Sequence, residues 1–122
     1  TTALVAASLL ASGCQAGPFG RSQLVAVSAA QEQKLGAAAY QRVLTEEKDK
    51  VVPADDALSR RVAEVGERLA RASEAPAFRT AAGLPAAPPF EWRFAVVDEG
   101  QVNAFCLPGG KVVVYTGILP VC

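Results

Sequence analysis

The stretch that decides the fold runs from Asp98 to Leu119 and reads DEGQVNAFCLPGGKVVVYTGIL. Two segments of it, Val102–Cys106 and Lys111–Tyr115, are rich in β-branched and aromatic residues and predict strands. Between them, Pro108–Gly110 supplies the chemistry of a tight turn. Upstream, apolar side chains recur with a period of two over residues 92–96, which predicts a third strand. We therefore expect a three-stranded antiparallel meander.

Two helices are predicted before this meander. Ser28 and Gln31 have the spacing of a capping box, and a helix from there to about Lys50 would carry an apolar stripe of Leu35, Ala39 and Val43. After a break at Pro53, a second helix is predicted from Asp55, with one apolar face formed by Leu58, Val62, Val65, Leu69 and Ala72. The proline-rich segment 75–89 predicts a loop. The fold class expected is α+β, with two N-terminal helices followed by the meander.

The composition excludes several kinds of site. The chain has no histidine and no methionine, so it contains no Ser-His-Asp or Cys-His catalytic group and no histidine-ligated zinc. Its net charge is zero and its isoelectric point is about 6.2. This balance gives no support for a nucleic-acid partner, which normally requires a clustered basic surface.

The N-terminal segment has the pattern of a targeting sequence. All twelve basic and twelve acidic residues lie from Arg21 onward, and the apolar run Ala3–Leu10 is followed by small residues and then Cys14. We predict a partial lipoprotein signal peptide over residues 1–13, lipidation at Cys14, a flexible lipid-anchored tether over residues 14–27 and a domain over residues 28–122. The expected location is the bacterial cell envelope, facing the periplasm and held to the membrane by the lipid. The outer membrane is favoured because Gln15, and not aspartate, follows the cysteine.

The motifs Val-Asn-Ala-Phe (102–105), Pro-Gly-Gly (108–110) and Tyr-Thr-Gly-Ile-Leu (115–119) carry a family resemblance. The pattern resembles the Oma-type and HtpX-like zinc metalloendopeptidases, relatives of the prenyl-protein proteases, over about residues 22–119. The resemblance implies a zincin-like domain in which a helix bearing H-E-x-x-H follows the meander and binds zinc. It also implies that Asn103, Ala104 and Phe105 form an edge strand beside the cleft, where a peptide or misfolded protein substrate pairs by β-addition.

These implications set the functional expectation. The chain contains no counterpart of the zinc ligands or of the catalytic glutamate, so no catalytic residue and no metal ligand is predicted, and we expect no zinc to bind this chain. We expect the N-terminal portion of a membrane-anchored zinc metalloendopeptidase for envelope proteins, an incomplete domain that is inactive alone. The alternatives left open are a non-catalytic periplasmic lipoprotein that acts as a scaffold or regulatory module, and the product of a degraded gene. The oligomeric state is not predicted.

Individual residues also have structural interpretations. Asn103 is as well explained by a turn or a neighbouring backbone group as by contact with substrate. Phe105 and Trp92 are expected in the core, and Asp55 and Asp56 are expected to cap a helix. Cys106 is expected to be a buried thiol, with a disulfide to Cys122 as the alternative.

Overall fold

The computed structural model describes residues 14–16, 20–24, 27–84 and 89–122. The predicted signal peptide, residues 1–13, lies outside these ranges. In chain order the elements are β1 (Cys14–Ala16), β2 (Ser22–Leu24), α1 (Ala29–Glu46), α2 (Ala57–Glu74), α3 (Pro76–Ala81), β3 (Arg93–Val97), β4 (Ala104–Leu107), β5 (Lys111–Tyr115) and a 3-10 helix (Thr116–Val121). β1 and β2 form a separate antiparallel pair, so the range predicted as a flexible tether contains a short hairpin.

The capping box predicted for α1 is confirmed. The Ser28 hydroxyl accepts a hydrogen bond from the Gln31 backbone N–H at 3.3 Å, and the Gln31 side-chain oxygen accepts one from the Ser28 backbone N–H at 3.1 Å. The buried face of the helix matches the predicted stripe only in part, since Val43 of that stripe packs against the core. Gly36 and Tyr40 are buried, whereas Leu35 is 64% exposed. A glycine contributes nothing to a hydrophobicity pattern, but it is the residue that lets another segment approach the helix backbone.

The cap predicted at the Asp55–Asp56 pair is confirmed, and Asp56 is the residue that forms it. The Asp56 carboxylate accepts a hydrogen bond from the Leu58 backbone N–H at 2.8 Å, and α2 begins at Ala57. The segment predicted as a loop contains the short helix α3, which has Pro76 in its first turn. Proline is favoured at that position because the first N–H of a helix has no intrahelical partner.

The sheet is mixed, with strand order β3-β5-β4. β5 pairs antiparallel with β4 and parallel with β3, so the predicted antiparallel meander is wrong. Gly109 and Gly110, at φ of 81° and 80°, form the turn that joins β4 to β5. β5, the strand with three consecutive valines, then takes the central position, and β4, with two exposed residues, takes the edge. The coarser α+β prediction is consistent with this arrangement.

Helices cover both faces of the sheet. On one face, Tyr40 of α1 packs in the main core, whose other buried members are Ala95, Val97, Val113 and Tyr115. On the other face, α2 packs on β3 so closely that a Cβ at Gly66 would overlap the Phe94 ring. Burial on both faces explains why β3 ends in three consecutive buried residues instead of alternating.

The two outer edges of the sheet differ. Beside β3, the Val52 N–H donates to the Val96 carbonyl at 2.9 Å, and the Asp98 N–H donates to the Lys50 carbonyl at 2.8 Å. Beside β4, no other strand is paired within the described residues. Across those same residues, no helix is long and apolar enough to cross a membrane.

Candidate functional site

The outer edge of β4 presents unused backbone hydrogen-bonding groups. The Tyr115 N–H donates to the Asn103 carbonyl at 3.0 Å, and Ala104 lies opposite Val114. In an antiparallel ladder, residues that bond to the neighbouring strand alternate with residues whose N–H and C=O point away from it. Because Asn103 bonds towards β5, the groups of Ala104 and Cys106 point outward. Each of these two residues offers one donor and one acceptor to an incoming strand.

The three residues predicted for substrate contact have different surroundings. Asn103 uses its carbonyl on β5, and its half-buried side-chain amide has no hydrogen-bond partner within the described part of the chain. Phe105 packs against the core, with its ring centroid 6.0 Å from that of Tyr115. Of the three, only Ala104 directs its backbone outward. Cys106 does the same and is missing from the prediction; the two-residue period of a strand adds it once Ala104 is known to face outward.

Cys106 and Cys122 are both free and exposed. The prediction of a buried Cys106 is therefore wrong, because an edge strand leaves one side of its residues open. The Cys106 thiol still lies against the sheet beside Val112 and Val114, and this partial burial raises its pKa above the ordinary value for cysteine. A raised pKa lowers the thiolate fraction at neutral pH, which is the opposite of what a nucleophilic cysteine requires.

The loop that leads into β4, residues 98–103, is held by the residues that follow β5. The Thr116 hydroxyl lies 3.0 Å from an Asp98 carboxylate oxygen and 3.2 Å from the Glu99 carbonyl, and it accepts a hydrogen bond from the Glu99 N–H at 3.1 Å. The Gly117 N–H donates to the Glu99 carbonyl at 2.9 Å. A side chain at Gly117 would meet the loop backbone, since a Cβ there would lie 2.5 Å from the Gln101 carbonyl oxygen.

An ion pair holds the same loop from the other side. Lys50 Nζ lies 2.5 Å from Glu99 Oε2 and 3.5 Å from a Glu47 carboxylate oxygen. The hydrogen bond from Lys50, together with its charge, lowers the pKa of Glu99. The hydrogen bond to Glu99 and the charges of Glu47 and Glu99 raise the pKa of Lys50. Lys50 is exposed and the two carboxylates are partly exposed, so solvent and salt screen the attraction.

The β4–β5 hairpin is also fixed at its turn. Gly36 of α1 faces the turn so closely that a Cβ there would overlap the Pro108 carbonyl oxygen. The buried ammonium of Lys111 donates to the Gly109 carbonyl at 3.4 Å and to the Glu91 carbonyl. These carbonyls replace part of the hydration that a buried charge loses. The edge strand is therefore positioned at both ends, by the turn and by the loop.

A groove of about 700 Å³ lies between α2 and the sheet. Its walls are mostly apolar and include Val65, which is 41% exposed, and Leu69, which is 67% exposed. Trp92 and Phe94 stack in it with nearly parallel rings, and the Trp92 indole N–H donates to Glu74 at 2.9 Å. Among the described lining residues Arg61 is the one charged group, so the groove offers mainly apolar contact and no carboxylate side chain.

The described residues do not fit a zinc centre. The chain has no histidine, and nowhere in the described ranges do three Cys, Asp or Glu side chains come together as a possible metal site. Asp55 and Asp56 lie together at the start of α2, where Asp56 is occupied as the cap.

Comparison with known proteins shows a match to the model of Peptidase family M48 over residues 56–122. The mitochondrial metalloendopeptidase OMA1 of Schizosaccharomyces pombe is 32% identical over 91 residues, which cover 75% of this chain and 23% of that protein. The protein of the same name from Arabidopsis thaliana is 64% identical over 28 residues, covering 23% of this chain and 6% of the relative. The chain thus spans less than a quarter of the length of either relative.

These relatives correct the expected location. Both are named as mitochondrial proteins and both come from eukaryotes, which contradicts a periplasm-facing location in a bacterial envelope. Residues 1–20 carry no charged side chain, so the prediction rests on an apolar run and on Cys14, and neither identifies the compartment by itself. Cys14 is the first residue of β1, and its lipidation stays a prediction.

Proposed function

Since this chain belongs to peptidase family M48, as its resemblance to the Oma-type enzymes predicted, we propose that it contributes the substrate-binding edge of a metalloendopeptidase. The observation that carries the proposal is the pair of outward-facing backbone groups on β4, at Ala104 and Cys106. An extended polypeptide pairs with such an edge through main-chain hydrogen bonds, which do not depend on its sequence. The proposed substrates are protein segments in extended conformation, and the proposed metal of the whole enzyme is zinc.

The position of Asn103 supports the same function. Its side-chain amide lies immediately before Ala104, and an amide can both donate to and accept from a substrate backbone. Phe105 contributes indirectly, because its packing against Tyr115 anchors the middle of β4 to the core. Holding a peptide in a fixed, extended conformation reduces the entropy that is lost on reaching the transition state.

The test is a substitution that removes one outward N–H and leaves the ladder to β5 intact. Proline lacks the backbone N–H and is tolerated on an edge strand where that N–H faces solvent, so Ala104→Pro removes a group that only an added strand would use. The probe is fluorescein-labelled α-lactalbumin, reduced and carboxymethylated so that it is unfolded, and binding is measured by anisotropy. We expect Ala104→Pro to weaken binding about tenfold, which is the effect of losing one hydrogen bond between β4 and the bound polypeptide.

The controls separate binding from folding. Ala104→Val keeps the N–H and should bind like the wild-type chain, and native, folded α-lactalbumin should bind neither protein. The urea midpoint of Ala104→Pro shows whether the sheet is intact. Wild-type affinity in a folded Ala104→Pro protein would rule out β4 as the binding edge. In the complete enzyme, the same substitution should raise KM more than it lowers kcat, because it removes binding energy common to substrate and transition state.

A further inference from the structure

The loop before the binding edge is held at both ends by three consecutive residues. Tyr115 fixes Asn103 through its backbone N–H. Thr116 and Gly117 make four contacts of 2.9–3.2 Å with the other end of the loop, three with the Glu99 backbone and one with the Asp98 carboxylate. The loop therefore cannot shift along the edge without breaking bonds to this segment.

Thr116 is the one residue of the three that acts through its side chain. Its hydroxyl is both donor and acceptor, and it connects the carboxylate of Asp98 with the backbone of Glu99. A single hydroxyl proton serves two acceptors, Asp98 and the Glu99 carbonyl, while the oxygen accepts from the Glu99 N–H. The hydroxyl is half-buried, so water replaces it less well than at an open surface.

From this geometry we infer that Thr116 is a positioning residue. Its hydroxyl fixes the positions of Asn103 and Ala104, the residues offered to an extended polypeptide. The inference rests on the proposed function of the edge. It assigns Thr116 no contact with the substrate. The Lys50–Glu99 ion pair contributes less to this positioning, because both of its charged groups are exposed.

The test compares Thr116→Val with Thr116→Ser. Valine has nearly the shape of threonine but neither donates nor accepts, whereas serine keeps the hydroxyl. Amide exchange at Gly117, whose N–H is bonded to Glu99, should become about tenfold faster in Thr116→Val, and exchange at Val113 in the centre of the sheet should not change. The affinity for unfolded, carboxymethylated α-lactalbumin should fall about fivefold, and Thr116→Ser should restore both values.

Thr45→Val is the matched control. The Thr45 hydroxyl donates to the Gln41 carbonyl on the exposed side of α1, so its loss should change neither Gly117 exchange nor affinity. Should Thr116→Val fail to fold, Asp98→Ala removes one partner of the same hydroxyl at an exposed site and should give a smaller change in the same direction. Faster Gly117 exchange with unchanged affinity would refute the positioning role, because the hydroxyl would then serve local structure alone.

Failure of the proposed function gives a different result. A wild-type chain that does not bind the unfolded polypeptide contradicts the binding edge itself. In that case the Ala104 amide chemical shift tests the positioning role alone. It should move in Thr116→Val and return in Thr116→Ser, and an unmoved shift would refute the inference.

Discussion

Replacing Gly36 with alanine tests how closely α1 approaches the β4–β5 turn. A Cβ at this position would overlap the Pro108 carbonyl oxygen and lie 2.7 Å from the carbonyl carbon, and both are backbone atoms that cannot rotate away. Overfilling a packed site costs about 1–3 kcal/mol, and a rigid neighbour places this case at the upper end. Alanine in a helix interior gains about 1 kcal/mol over glycine. The net expectation is a loss of about 2 kcal/mol in the free energy of unfolding.

The assay is urea denaturation followed by the fluorescence of Trp92, the only tryptophan, with circular dichroism as a second probe. In a thermal melt, a loss of about 2 kcal/mol in the free energy of unfolding should lower Tm by about 8 °C for a domain of this size. Gly100→Ala is the matched control, since a Cβ at Gly100 meets no atom within 4 Å and its φ is not in the left-handed region. That variant should be as stable as the wild-type chain or more stable by up to about 1 kcal/mol.

A second control measures the helix propensity itself. Ala38→Gly, at an exposed position of α1, should cost about 1 kcal/mol. If Gly36→Ala instead stabilises the chain by a similar amount, propensity alone decides the outcome. The close approach of α1 to Pro108 would then be refuted.

Two further predictions concern titratable groups. Because Lys50 lowers the folded-state pKa of Glu99, the pair contributes stability above the ordinary pKa of a glutamate, and this contribution is lost as pH falls through the lowered value. Between about pH 6 and about pH 3, the melting temperature of Glu99→Gln should thus fall less than that of the wild-type chain, and about 1 M salt should reduce the difference. Equal falls at low salt would contradict the ion pair. Burial raises the pKa of Cys106. In a chain with Cys14→Ser and Cys122→Ser, the rate of alkylation by iodoacetamide should therefore have its pH midpoint above that of N-acetylcysteine. A midpoint at or below that of N-acetylcysteine would contradict the partial burial.

The parts of the fold that depend on near neighbours could be predicted from the sequence. The Ser28 cap, the break at Pro53 and the limits of β5 follow from residues within a few positions of one another. The strand order could not be predicted in this way, because the parallel pairing of β3 with β5 depends on which strand takes the centre of the sheet. The buried face of α1 was predicted only in part for a related reason, since Gly36 is buried by Pro108, a residue far along the chain.

In the candidate site, too, the local features could be predicted and those that depend on distant residues could not. The edge strand could be located from the Val-Asn-Ala-Phe motif, and Asn103, Ala104 and Phe105 lie on it or directly before it. Which residues point outward could not be read from the motif, because the phase of the ladder depends on the bond between Tyr115 and Asn103. The role of Thr116 has no local pattern either, since its partners belong to a different loop.

The contact between Gly36 and Pro108 has a consequence for the order of folding. α1 is synthesised before the β4–β5 hairpin, so the surface it packs against is complete only after that hairpin has emerged. Until then Tyr40, Val43 and Leu44 have no core to enter. Contacts between residues so far apart in sequence also slow folding, because a long loop must close before they form. A nascent chain therefore exposes one apolar face of α1 until the β4–β5 hairpin has been made, and during that interval the face is prone to aggregation.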